Sequence, residues 1–203
     1  MTSSPVTTML LIRHAEPAAW ATHLCHGTLD VPLSDEGVID ARRIADHLRG
    51  ARFDAVYSSP LGRAVATACP LAGSHGLTAV VRDDLAEIDF GAFEGRAFDE
   101  IAASHPDLYA QWMREPARVR FPGGESFEDL RARVIEAITR IRREHEGGSV
   151  AVVTHGGVIR AVIADVLRLD AAMIFRVGQS WGGMSLVEWA GDDPIVRSIN
   201  VAV

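Results

Sequence analysis

The sequence predicts an α/β fold, a three-layer α/β/α sandwich whose mainly parallel sheet carries helices on both faces. Three observations carry this expectation. Short apolar runs alternate with segments of helical period. Several of those runs end in polar residues directly ahead of a helix start. Neither an internal repeat nor a low-complexity tract interrupts the alternation.

Residues 1–6 read as a loose start, and 8–12 as a buried strand, because the run Met9-Leu10-Leu11-Ile12 is short and stops at Arg13. Ser34 is a natural N-cap for a helix carrying Val38, Ala41, Ile44, Ala45 and Leu48 at helical spacing, with Gly50 as its stop. A second strand is expected at 53–57, a helix at 61–73 after Ser58-Ser59-Pro60, and a third strand at 77–82. Residues 83–95 have no period but are acidic and contain two glycines, which fits a functional loop. Residues 96–124 read as short helical pieces forming a small excursion from the sheet. The stripe Leu130, Val134, Ala137, Ile138, Ile141 predicts a helix over 125–146, closed by Gly147-Gly148. A buried strand at 150–153 and a helix at 156–167 follow, and 183–189 and 195–199 read as two edge strands.

With 203 residues, 48% of them hydrophobic, the chain can bury one sizeable core. Residues 1–203 are expected to form one domain, with 96–124 as a small helical insertion. A formal net charge of -7 argues against general attraction to nucleic acid or anionic lipid, and no apolar run is long enough to span a bilayer. Cys25 and Cys69 make no disulfide framework, and with no signal peptide in view a cytoplasmic setting is expected. In sheets of this kind ligands bind beyond the carboxyl ends of the strands. The strand ends here read Arg13-His14-Ala15-Glu16, Ser58-Ser59-Pro60 and Thr154-His155-Gly156-Gly157. The helix starts after them offer free N–H groups to an anion.

Leu11-Ile12-Arg13-His14-Ala15-Glu16 resembles the Arg-His-Gly-Glu signature of the histidine phosphatase superfamily, which includes phosphoglycerate mutase, with Ala15 in place of the glycine. Residues 27–37, the Ser58-to-Ala68 block, the Leu85-to-Gly95 block, Pro122-Gly123-Gly124-Glu125-Ser126 and 152–160 are similar to the family's further blocks, in family order over nearly the whole chain. Met173-Ile174-Phe175-Arg176-Val177 with Gln179 resembles the matching stretch of α-ribazole phosphatases.

The resemblance implies a phosphoglycerate mutase-like fold and a catalytic set of His14, Glu87 and His155. His14 would be the nucleophile, Glu87 the general acid, and His155 a donor to the transferring group. Arg13, Arg63 and the Gly156 N–H would bind the phosphoryl oxygens, and His26 and Gly27 would line the substrate entrance. The chemistry needs these types. A neutral imidazole has a lone pair to attack with, and a planar guanidinium presents paired donors to phosphate. Four such donors can replace a metal clamp, so neither metal nor cofactor is implied. Nearby arginines oppose protonation of Glu87 and an incoming phosphate favours it, so Glu87 is expected to act as an acid mainly in the substrate complex.

Taken singly, each of these residues has a bland reading: a strand-end arginine, a hydrogen-bonded histidine, an ordinary loop carboxylate, glycines that allow close packing. The ordered series reverses that balance. Glu16 is expected to orient Arg13 or to cap its turn. His23-Leu24-Cys25-His26 has metal-ligating residue types but no second cluster, so a metal site is not favoured there. Trp112, Trp181 and Trp189 read as packing residues, and Arg42-Arg43 and Arg142-Arg143 as solvated helix faces. The family's Trp-Asn pair is absent from Pro17-Ala18-Ala19-Trp20-Ala21, which removes one phosphate contact. The long inserts of cofactor-dependent mutases are absent too, and a more open site loses its phosphoryl group to water. A phosphomonoesterase acting on a small phosphorylated substrate is therefore expected ahead of a mutase or a silent phosphate-ligand binder. A homodimer is common in the superfamily.

Overall fold

In the computed structural model, which describes residues 5–202, the strands are β1 (Val6–Arg13), β2 (Ala55–Ser58), β3 (Val80–Val81), β4 (Ser149–Thr154), β5 (Met184–Ala190) and β6 (Asp193–Val201). The helices are α1 (Asp35–His47), α2 (Gly62–Ser74), α3 (Phe98–Ser104), α4 (Pro106–Arg114), α5 (Phe127–Glu144) and α6 (Gly156–Leu167). One six-stranded sheet of order β3-β2-β4-β1-β5-β6 results, parallel from β3 through β1 and antiparallel for β5 and β6.

Side-chain alternation along each strand separates two cores. Met9 and Leu11 of β1, with Val150 and Val152 of β4, face α5 and α6. Ile12, with Ala151 and Val153, faces α1 and α2. Burying each aliphatic side chain contributes about 1.5–3 kcal/mol. Ser34 caps α1, its hydroxyl accepting the Gly37 N–H at 2.9 Å. Ser126 and Asp129 cap α5 reciprocally, with the Asp129 carboxylate accepting the Ser126 N–H at 2.7 Å.

Two expectations change. Residues 184–190 do not form an edge: β5 lies between β1 and β6, with Val187 and Trp189 buried in the core, and β6 alone closes that side. The third strand shrinks to Val80–Val81, because only Tyr57 and Ser58 of β2 reach it and both of its residues are exposed.

The register positions the site. Arg13 pairs with Thr154 and Ser58 with Val153, so His14, Ser59 and His155 leave three neighbouring strands at the same edge. The helix after β1 covers one face and the helix after β4 the other, which makes the β1/β4 boundary the switch point where a crevice opens.

Candidate active site

His14 leaves β1 with its backbone held on both sides. Its N–H donates to Thr154 O at 2.8 Å, and its carbonyl accepts the Gly182 N–H at 3.2 Å. The ring is 3% exposed, and Nδ1 lies 2.7 Å from Ala15 O. A carbonyl only accepts, so Nδ1 carries the hydrogen and Nε2 keeps the lone pair. Burial, then the charges of Arg63 and Arg13, hold His14 well below the ordinary histidine range. The imidazole is therefore neutral at neutral pH.

His155, whose ring centroid stands 5.1 Å from that of His14, is fully buried. Burial, then the neighbouring His14 and the Arg63 and Arg13 charges, also hold it well below the ordinary value. Its Nε2 lies 2.6 Å from Ser59 Oγ. That oxygen also accepts the Leu61 N–H at 3.3 Å, and its own hydrogen can point to the ring. In this arrangement His155 Nδ1 carries a hydrogen, and Nδ1 has no partner among the described residues.

Arg63 lies in the first turn of α2 and is 1% exposed. Its Nη1 donates to Leu29 O at 2.9 Å and its Nη2 to Gly27 O at 2.6 Å. Arg13 Nη1 donates to Gln179 O at 2.5 Å, and its guanidinium lies 5.8 Å from the Trp181 ring. Burial pushes Arg13 down to about 10 against the opposing pull of Glu87, so it stays cationic at neutral pH. The Nε atoms of both arginines are buried and have no partner among the described residues. Each unpaired buried donor costs about 1–3 kcal/mol, and a phosphate oxygen would offset that cost.

Glu87 sits between two 3₁₀ turns, Asp83–Leu85 and Gly91–Phe93. Its Oε2 accepts the Gly157 N–H at 2.9 Å and its Oε1 the Ile88 N–H at 2.9 Å. A Cβ on Gly157 would stand 2.2 Å from Glu87 Oε1, so the glycine leaves room for the carboxylate in this position. Gly156 begins α6 and is buried, and a Cβ there would meet Arg160 Nη1 at 3.1 Å and Arg13 Nε at 3.6 Å. The helix start thus faces two guanidinium groups and the carboxylate together.

Gly27 is buried against Ile88 O and acts through its carbonyl on Arg63. His26 is half-buried, with Nδ1 2.9 Å from Leu24 O, and its charge bears on His14. Glu16 accepts the Ser34 hydroxyl at 2.7 Å, which ties it to the α1 cap. Cys25 packs in the core, where burial pushes its thiol up. Among the described residues no group of three or more His, Cys, Asp or Glu is placed to hold a metal ion.

Several residues that shape the site escaped sequence reasoning. Glu94 accepts N–H groups from Gly27, Thr28, Leu29 and Phe90, locking the loop under Arg63 to the loop of Glu87. Arg133 of α5 donates to Asp84 O and Ala86 O and pairs with Glu125 at 2.8 Å. Thr67 accepts the Ala15 N–H at 3.0 Å. Arg160, quoted in a motif but given no role, donates from Nε to Val177 O at 2.9 Å and lies 5.8 Å from the Phe175 ring. Sequence spacing carries no signal for contacts of this kind. Trp189 is packed as expected, whereas Trp181 is 42% exposed over Arg13.

Fold and geometry together define an anion-binding centre built around a neutral, buried imidazole. Residues 9–202 match the family model of the histidine phosphatase superfamily, branch 1, and the chain belongs to that family. It is 30% identical over 193 residues to phosphoserine phosphatase 1 of Hydrogenobacter thermophilus, covering 95% of this chain and 92% of that one. It is 30% identical over 181 residues to the adenosylcobalamin/alpha-ribazole phosphatase of Salmonella typhimurium, covering 88% and 90%. A mycobacterial glucosyl-3-phosphoglycerate phosphatase has a similar structure, with a TM-score of 0.89, 27% identity, and 97% of this chain and 100% of that one covered.

Proposed function

We propose that the chain is a metal-independent phosphomonoesterase that hydrolyses a small phosphorylated metabolite through a phosphohistidine at His14. The observation that carries this reading is the set of unpartnered atoms at one sheet edge: Arg13 Nε, Arg63 Nε and His155 Nδ1, beside a neutral His14. The phosphatase relatives support it.

The lone pair on His14 Nε2 attacks phosphorus in line, and an N–P bond forms as the ester O–P bond breaks. Glu87, protonated once the dianion is bound, gives its proton to the leaving oxygen. Arg13, Arg63, His155 and the N–H of Gly156 hold the equatorial oxygens, work that a metal ion does in other phosphatases. In the second half, Glu87 accepts a proton from water, the water oxygen bonds phosphorus, and the N–P bond breaks. His14 returns neutral and phosphate leaves. We read residues 1–203 as one domain that acts in the cytoplasm, and the net charge of -7 argues against nucleic acid as a partner.

Rapid quench of the enzyme with p-nitrophenyl [32P]phosphate is the test. An acid-labile, base-stable adduct should appear on the wild type and be missing from His14→Ala, with the thermal transition of the variant kept. An adduct that survives in His14→Ala removes His14 from the reaction.

A further inference from the structure

A cavity of about 130 Å³ opens beside Glu87. Phe90, Trp112 and Phe121 form one wall, with ring centroids 4.7–5.5 Å apart. Phe175 and Phe127, 5.5 Å apart, form another. Among the described residues, the only charged side chains lining it are Glu87 and Arg160, and Gly157, also in the lining, already spends its N–H on Glu87. Arg160 is engaged as well, through Val177 O and the face of Phe175. Trp112 belongs to α4, so the helical excursion from the sheet supplies part of this chamber.

The cavity's place in the site identifies its occupant. If Glu87 protonates the ester oxygen, the group carried by that oxygen lies on the Glu87 side of the phosphate centre, against these rings. An ammonium group there would need acceptors, and the one acidic side chain is the group the reaction itself uses. A ring face attracts a cation by only about 0.5–2 kcal/mol and offers no acceptor for the three N–H donors of a primary ammonium. A ring would fit: apolar cavities of roughly 150 Å³ take up benzene, and aromatic groups gain from edge-to-face contacts.

We infer that the preferred substrate is the phosphate monoester of an alcohol carrying an aromatic ring, in preference to a phosphorylated amino acid. This rests on the phosphomonoesterase reading for the placement of the leaving group. Binding and turnover separate the two.

Binding is measured by calorimetry on full-length His14→Ala, which needs no chemistry. Benzyl phosphate should bind at least about tenfold more tightly than O-phosphoserine. Equal or tighter binding of O-phosphoserine overturns the inference. On the wild type, kcat/KM should favour benzyl phosphate by a similar factor, since both esters release an alkoxide. Phe175, 41% exposed, can be truncated with little risk to the core. Phe175→Ala should raise KM for benzyl phosphate about tenfold while the affinity for inorganic phosphate, its control for folding, stays the same. An unchanged KM counts against the pocket. Tight benzyl phosphate binding by His14→Ala, with no hydrolysis of any ester by the wild type, would leave the pocket standing and remove the hydrolase reading.

Discussion

His14 and His155 are neutral for the same first reason, burial, with the guanidinium charges adding to it. This has a consequence for stability. Below about pH 6.5 the unfolded chain protonates both rings while the folded protein does not, so the unfolded state binds more protons. Stability is therefore lost as pH falls from about 6.5 toward the depressed folded values, with a limiting slope of about 1.4 kcal/mol per pH unit for each ring. Urea denaturation between pH 5 and 7.5 should show His14→Asn losing about one proton's worth of that slope. An unchanged slope would mean that His14 is charged in the fold. The main site residues were legible in the sequence because each stands inside a recognisable block, Glu87 in a loop and the others near strand ends or helix starts. The roles of Glu94, which stands inside a quoted block, and of Arg133 were not, because both act on backbone groups of remote loops, which residue spacing does not report.

Among the elements, the start of α6 links the carboxylate to the sheet. Gly157→Ala should push Glu87 away without harming the helix, since the Cβ would meet a side-chain oxygen and alanine is the better helix former. The expected signature depends on the leaving group. For an alkyl phosphate kcat/KM should fall about 100-fold, as it should in Glu87→Gln, because an alkoxide needs the proton. For p-nitrophenyl phosphate the fall should stay under about tenfold, because that leaving group departs unaided. Equal losses on both esters would indicate a general distortion of the site. Helices α1 and α5 were readable from their apolar period, and α2 and α6 from the polar strand ends ahead of them. The place of β5 was not, since residue alternation reports that one face is buried and says nothing about which neighbours supply the hydrogen bonds.

For the whole molecule, the cationic centre predicts that ligand and fold are linked. Inorganic phosphate at 100 times its dissociation constant should stabilise the protein by about 2.7 kcal/mol, visible as a rise in Tm, whereas EDTA should change neither Tm nor turnover. A large loss on chelation would point to a metal in the working enzyme. The overall architecture was legible because the alternation of strand and helix is a long-range pattern repeated along the chain. The aromatic chamber was not, because its walls come from segments far apart in sequence: the Glu87 loop, α4 and the stretch before β5.

Among the six strands, β1, which leads into His14, is made first and completed last. In the sheet β1 touches only β4 and β5, and its pairing begins with Thr8 against Ser149. While a ribosome has yet to deliver residues 149–190, both edges of β1 remain bare. At about 5–20 residues per second, that leaves an apolar segment waiting for several seconds. A nascent polypeptide of this design cannot turn over phosphate esters before residues 149–190 emerge, and until then β1 is a segment that a chaperone would have reason to hold.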